Sequence, residues 1–328
     1  MNNKSFKAFI IENKDDSGLI KTLSLEDLMD GDVTVKVFFS SFNFKDGLAI
    51  TQRIPIIKRF PMIPGVDFAG EVVESYSKNY KTGDSVILNG WGAGESHYGG
   101  FSQYARVPSE WLIKLPNTFN YEEAMILGTA GYTAALCVME IISRIKANKE
   151  NKILVTGASG GVGSICVYLL AKLGYVVTAL SGKDKDFLIN IGASHVLDRE
   201  EFQLSNKPLQ KEIWSGAIDT VGSNVLSTLL SQIRYNGIVA STGLAKGPEL
   251  ITTVYPFILR NITLAGVDCV LAPYDKRIKA WKFLSDLIDR DILKTLKTLN
   301  CLSDLKKLAE RIISGKIAGR TIIDVNKT

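Results

Sequence analysis

Apolar and polar positions alternate over short spans in the first third of the chain and over longer, helix-like spans beyond it. Runs such as "VTVKVFFSSF", "AGEVVESY", "DSVILNG" and "FSQYARV" are separated by Gly and Pro turns, "PMIPG" and "GWGAGESHYGG" among them. This pattern predicts a mostly β region up to about residue 118. The character then changes. Asn120 precedes "YEEAMILGTAGYTAALCVMEIISRI" with Glu123 three residues on, the spacing of a capped helix start that leads into a long apolar helix.

From residue 151 to about 268, strand-like and helix-like segments alternate, with "KILVTGA", "YVVTALS", "HVLD", "GAIDTV", "GIVASTG" and "ITLAGVD" as six candidate strands. Alternation of this kind predicts an α/β fold, a parallel doubly wound sheet with helices on both faces. "RIKAWKFLSDLIDRDI" and "SDLKKLAERIISGKI" follow as amphipathic helices, and "RTIIDV" reads as a last strand that rejoins the β-rich region. The expected division is therefore residues 1–121 with 269–328 as one domain, and 122–268 as a dinucleotide-binding domain.

Composition narrows the classes without choosing among them. At 328 residues and 46% hydrophobic, the chain can bury two cores of ordinary size. The net charge of +5 is spread along it, with nothing more basic than short pairs such as Lys58 and Arg59, so no nucleic-acid partner is expected. Four cysteines, Cys137, Cys166, Cys269 and Cys301, show no CxxC spacing and fit buried thiols in a reducing compartment. "MNNKSFKAFIIE" lacks the parts of a signal peptide, and Lys172 interrupts the longest apolar candidate for a membrane span, so a cytoplasmic protein without a membrane partner is expected.

"VTGASGGVGS", Val155–Ser164, carries the first chemistry. It stands at the first strand-to-helix turn of the predicted sheet, where a pyrophosphate needs backbone N–H donors and no Cβ in its way. Aligned to GxGxxG it supplies Ala158, Gly160 and Gly163, with Gly161 added. About 20 residues on, where NAD enzymes carry an acid for the ribose hydroxyls, stand Ser181, Gly182 and Lys183. A cation there, with Arg199 after the third strand, points to the 2′-phosphate of NADPH; the alternative is that both are solvated surface charges.

Through "NFKDGLA", "PMIPGVDFAG", "GWGAGESHYGGFSQYARV", "ILGTAGYTAALCVM", "VTGASGGVGS", "GAIDTVG" and "TTVYPFILRNITLAGVD", nearly the full chain resembles the medium-chain dehydrogenase/reductase superfamily. Within it the chain is most similar to the zinc-free quinone oxidoreductase branch and its NADPH-dependent acryloyl-CoA reductases. The resemblance implies a GroES-like β-rich substrate domain and a Rossmann NADPH domain. It implies cofactor contacts from Phe44, Ser159, Gly160, Gly161, Val162, Ser181, Gly182, Lys183, Arg199, Leu244, Ile258 and Cys269. Phe44 and Cys269 depart from the Tyr and Ser that relatives commonly carry there, which leaves packing without a hydroxyl. The resemblance also implies a homodimer, joined through the nucleotide domains along "ITLAGVD".

A catalytic zinc needs about three Cys, His or carboxylate ligands and an open position. The chain has two histidines, His97 and His195, and no cysteine cluster, so no metal is expected. The expected enzyme is then an oxidoreductase that delivers hydride to an activated acceptor. It would reduce acryloyl-CoA, a short enoyl-CoA, to propanoyl-CoA, with a quinone as the alternative acceptor and a non-catalytic NADPH-binding protein as a further alternative. Asn43 and Asp46 are the candidates for orienting substrate, although Asn43 could equally bond its own turn and Asp46 cap a helix. Tyr98 and His97 are candidate proton sources, with ordered water as a competitor.

Overall fold

A computed structural model describes residues 5–327; residues 1–4 and Thr328, which the sequence reading assigned to the first domain, lie outside the described residues. The chain forms two compact units. The first gathers the described residues up to Thr129, Cys269–Ser285 and those from Asp289 onward; the second gathers Ala130–Asp268 and Asp286–Ile288.

In the first unit, β1 (Ser5–Ile10) and β2 (Leu19–Ser24) pair as an antiparallel hairpin. β3 (Val33–Phe42) leads through α1 (Phe44–Thr51) to β4 (Asp67–Ser75), β5 (Ser85–Asn89), β6 (Tyr104–Val107) and β7 (Leu112–Lys114). The alternation read from "VTVKVFFSSF" has its cause here. Val33, Val35 and Val37 all point to one face and are fully buried among Phe68, Val86 and Leu88, as a period of two requires.

α2 (Tyr121–Ile142) begins with the capping box expected of it: Glu123 N donates to Asn120 Oδ1 at 2.8 Å, and Asn120 N donates to Glu123 Oε2 at 2.9 Å. Length and composition would let this helix cross a membrane, with mean hydropathy 1.7 over its most apolar window. That corrects the expectation that no such stretch exists. Yet 78% of the window is buried inside the protein, the signature of a core helix.

The second unit holds β8 (Lys152–Thr156), α3 (Gly161–Lys172), β9 (Val176–Leu180), α4 (Lys185–Asn190), β10 (His195–Leu197), β11 (Trp214–Asp219), α5 (Ser223–Gln232), β12 (Ile233–Ser241), α6 (Tyr255–Arg260) and β13 (Thr263–Gly266). The six predicted strands form one sheet in the order β10-β9-β8-β11-β12-β13, paired parallel throughout. The chain builds outward from β8 to β10 and then restarts on the other side at β11. A crevice opens between two strands at such a reversal, at their carboxyl ends.

The chain then runs through α7 (Tyr274–Leu287), α8 (Arg290–Leu296), β14 (Lys297–Cys301), α9 (Leu305–Ile313) and β15 (Arg320–Asp324). As expected, "RTIIDV" rejoins the β-rich unit, pairing antiparallel with β3. β14, which lies parallel to β15 at the sheet edge, was not foreseen. Its first three residues are exposed and carry no buried apolar face from which a strand could be read.

Candidate functional site

In the second unit the turn after β8 is built from residues that need glycine. Gly157 has φ +58°, and a Cβ on it would stand 2.3 Å from Thr220 Oγ1; a Cβ on Gly163 would stand 2.3 Å from Gly157 O. Gly160 is the N-cap of α3, so Ser159, Gly160, Gly161 and Val162 form the helix N-terminus, where backbone N–H groups and the helix dipole favour an anion. Ser181, at the tip of β9, donates from Oγ to Ser159 Oγ and to Lys183 O, both at 3.0 Å, and so ties the strand tip to the turn.

Beside that tip a cavity is lined by Ser181, Gly182, Lys183, Asp184, Asp198 and Glu201, among others. Arg199 lies over Gly182, close enough that a Cβ there would be 3.0 Å from its Nε. Lys183 Nζ is 3.9 Å from Asp184 Oδ2. The structure thus brings Ser159, Ser181, Gly182, Lys183 and Arg199 together. Glycines that leave the backbone approachable, a helix N-terminus and two cations beyond it fit a dinucleotide with an extra phosphate. Leu244 and Ile258 are exposed, at 51% and 68%, and offer apolar surface in the same unit.

In the first unit Asn43 and Asp46 meet, but in the interior. Asn43 is the N-cap of α1 and its N–H donates to Asp46 Oδ2 at 2.8 Å, while Val66 N–H donates to Asp46 Oδ1 at 3.0 Å. Asp46 is 1% exposed. Burial first, and the nearby Asp67 second, push its carboxyl up to about 7 against the pull of those donors.

Asn43 Nδ2 donates to Ser41 Oγ and to Asp67 Oδ2, and its Oδ1 accepts from Arg320 Nη1 at 3.3 Å. Asp67, fully buried, also accepts from Ser41 N, Ser41 Oγ and Thr129 N. Arg320 donates to Ser41 Oγ at 2.8 Å and to Ile126 O at 2.8 Å. Burial lowers the guanidinium to about 10, still charged at neutral pH, with Asp67 and Asp46 opposing the shift. The helix must give way at this network. Gly128 takes φ 51°, ψ −150° inside α2, and a Cβ there would lie 2.4 Å from Ser41 Oγ.

The network therefore holds the first turn of α1, where Phe44 is 37% exposed and Lys45 pairs with the buried Glu95. Cys269 opens the segment against which Gly90 packs, a Cβ on Gly90 falling 3.1 Å from Cys269 O. Tyr98 lies elsewhere in the unit, half-buried against the cluster of Phe6, Ala8, Ile10 and Ile63, and burial holds its phenol above the usual range. His97 is committed to structure. One ring nitrogen bonds Arg106 O at 2.7 Å, the ring meets Trp111 edge-on, and burial lowers its pKa. Among the described residues, no group of three or more His, Cys, Asp and Glu is placed to hold a metal ion.

Sequence reasoning missed Ser41, Asp67 and Arg320. Asp67 and Arg320 stand within apolar strand runs, "GVDFAG" and "GRTIIDV", and a charge at such a place is the one local signal that would have drawn attention to them. They meet through the Ser41 hydroxyl, which joins segments far apart in the chain and leaves no local pattern.

Comparison with known proteins finds two family matches along the chain. Residues 29–117 match the family described as alcohol dehydrogenase GroES-like domain, and residues 161–286 the family described as zinc-binding dehydrogenase. The probable acrylyl-CoA reductase AcuI of Escherichia coli (strain K12) is 48% identical, covering 98% of this chain and 100% of its own. The structure of E. coli K-12 YhdH with bound NADPH aligns with TM-score 0.95 at 47% identity, over 97% of this chain and all of that one. The putative quinone oxidoreductase YhfP of Bacillus subtilis (strain 168) is 42% identical over 95% of this chain and 96% of its own. A structure of that protein with NAD bound aligns with TM-score 0.93 at 41% identity, over 98% of this chain and all of that one.

Proposed function

This chain belongs to the medium-chain dehydrogenase/reductase superfamily, in its quinone-oxidoreductase-like branch, and from that premise we propose that it is an NADPH-dependent reductase of activated carbon–carbon double bonds, with acryloyl-CoA as substrate and propanoyl-CoA as product. The observation that carries the cofactor is the glycine turn with Lys183 and Arg199 at the neighbouring strand tip. The substrate rests on full-length similarity to the E. coli acrylyl-CoA reductase.

Bound NADPH supplies the hydride that the β-carbon of the enoyl thioester accepts. The protein's part is to hold the cofactor and the acceptor and to complete the protonation. Ser159–Val162 and Ser181–Lys183 would hold the nucleotide's phosphates, with Arg199 for the 2′-phosphate; the apolar contacts to its rings would come from Leu244 and Ile258 in the second unit and from Phe44 and Cys269 in the first. Asn43 and Asp46 act through α1, whose first turn they orient toward substrate. The α-carbon takes its proton from ordered water, the competitor to Tyr98, whose phenol is half-buried against Phe6, Ala8, Ile10 and Ile63 and raised above its usual range. The reaction uses no metal. The protein acts in the cytoplasm as a homodimer, without nucleic-acid or membrane partners.

The second reading is an NADPH:quinone oxidoreductase, favoured by the similarity to YhfP. Initial rates of NADPH oxidation separate the two readings. Acryloyl-CoA carries remote phosphates whose binding energy can hold the alkene in place. Cutting it back to a thioester without the nucleotide is expected to lower kcat/KM by about tenfold or more, as one lost contact of about 1.4 kcal/mol would. If the truncated thioester and a simple quinone match the full substrate, the quinone reading replaces the first.

A further inference from the structure

Asp219 closes β11 and is fully buried, yet none of the chemistry above employs it. It stands at the carboxyl end of the strand that neighbours β8 across the reversal of strand order. Thr156, the last residue of β8, donates from Oγ1 to Asp219 Oδ1 at 2.7 Å. Gly222 N–H donates to Asp219 Oδ2 at 2.9 Å. The two strand ends are joined twice more through the residue after Asp219: Thr220 N–H donates to Thr156 Oγ1 at 3.0 Å, and Thr220 Oγ1 donates to Thr156 O at 2.9 Å. Gly157 follows directly, its missing Cβ leaving room for that same Thr220 hydroxyl.

A polar lattice of this kind is not needed to pair two parallel strands, whose backbone ladder already runs from Ile153 to Val155 against β11. It begins where the ladder stops and where the phosphate-binding turn starts. Every link in it fixes the position of Thr156 and Gly157 relative to β11. Burial raises the Asp219 carboxyl and the donated hydrogen bonds oppose that rise, so the group is anchored where bare negative charge would be costly.

We propose that Asp219 is a positioning residue for the nucleotide: through Thr156 and Thr220 it locks the separation of the β8 and β11 ends at the switch point, and so sets affinity for NADPH without touching it. The inference rests on the NADPH reading and adds the residue that makes the turn rigid. A turn held in the bound geometry before the ligand arrives loses less freedom on binding. Releasing the lock is therefore felt in nucleotide affinity before it is felt in chemistry.

The test titrates the full chain with NADPH by calorimetry, for the parent, Asp219→Asn and Thr220→Val, and records thermal midpoints and steady-state kinetics for each. Asn in place of Asp219 turns an acceptor into a donor facing Gly222 N–H or the Thr156 hydroxyl. Val for Thr220 keeps the shape and removes one link, which covers the case in which Asp219→Asn fails to fold. The expected result is a Kd for NADPH raised about tenfold in Asp219→Asn and in Thr220→Val alike, equal to about 1.4 kcal/mol. That loss is expected in KM for NADPH while kcat at saturation stays within about twofold and the thermal midpoint of the unliganded protein is kept, a split that a purely structural role would not produce. A parent that binds NADPH, with Thr220→Val binding it equally well, overturns the proposal and leaves the cofactor reading standing. A parent that binds no NADPH overturns both.

Discussion

Lys183 and Arg199 come from the ends of successive strands, and a glycine between them is what lets the guanidinium lie across the tip of β9. Each can make a charge-assisted bond to a 2′-phosphate of about 1.5 to 3 kcal/mol. Lys183→Glu is therefore expected to raise KM for NADPH by roughly one to two orders of magnitude, while kcat at saturation changes little, because the phosphate is remote from the hydride. Equal KM values for NADPH in parent and variant would remove Lys183 from the site.

At Asp46 the expectation concerns stability. Its carboxyl is raised from 3.8 to about 7 in the folded protein, so the folded state binds this proton more tightly than the unfolded chain does. The stability it contributes is fully present below pH 3.8 and is lost as pH rises through about 7. In denaturant melts between pH 5 and 8, the parent is expected to lose stability with rising pH relative to Asp46→Asn, which lacks the ionisation. Asp46→Asn also forfeits an acceptor for Val66 N–H or Asn43 N–H, a penalty of about 1 to 3 kcal/mol that does not vary with pH. Parallel stability curves for the two proteins would show that Asp46 does not titrate in this range.

At the scale of elements, β13 is an edge strand of the parallel sheet, and an uncovered edge invites pairing with another chain. α6, just before it, shows Ile258 and Leu259 at 68% and 57% exposed, and Ile251 and Val254 are exposed nearby in the chain. The proposed homodimer would cover this edge and part of this apolar surface. Light scattering at micromolar concentration is expected to return twice the mass of the chain, and a proline at Leu264, which lies opposite Val239 in the ladder, is expected to shift it toward one copy. A monomeric parent would refute the assembly.

α2 teaches a different lesson at the same scale. Its start at Asn120 and its apolar length were legible because capping and helical periodicity are local properties. Its interruption at Gly128 was not, although the glycine is plain in "ILGTAG". What forces the break is the approach of Ser41, Asp67 and Arg320, which the local sequence does not contain.

At the scale of the whole molecule, the proposed chemistry runs without a metal, and its test is the metal itself. Of the two histidines, His97 spends a ring nitrogen on Arg106 O, and His195 is exposed on β10. Activity is expected to survive prolonged chelation, with no stoichiometric zinc by elemental analysis; a bound zinc whose removal abolishes turnover would overturn the assignment.

The sequence by itself determined the β-rich first region, the six strands of the parallel sheet, the long apolar helix and the place of the phosphate turn, because periodicity, caps and glycine spacing act over a few residues. It also carried the residues at the β9 tip, where the motif's own offset from the turn says where to look. Only the tertiary structure decided that Asn43 and Asp46 turn inward to a buried Asp67–Arg320 network, that His97 is spent on a carbonyl, and that Asp219 ties β8 to β11. The physical reason is common to all three. A buried polar group must find its partner wherever the fold brings one within hydrogen-bond distance, and Asn43 and Arg320 meet across 277 positions of chain.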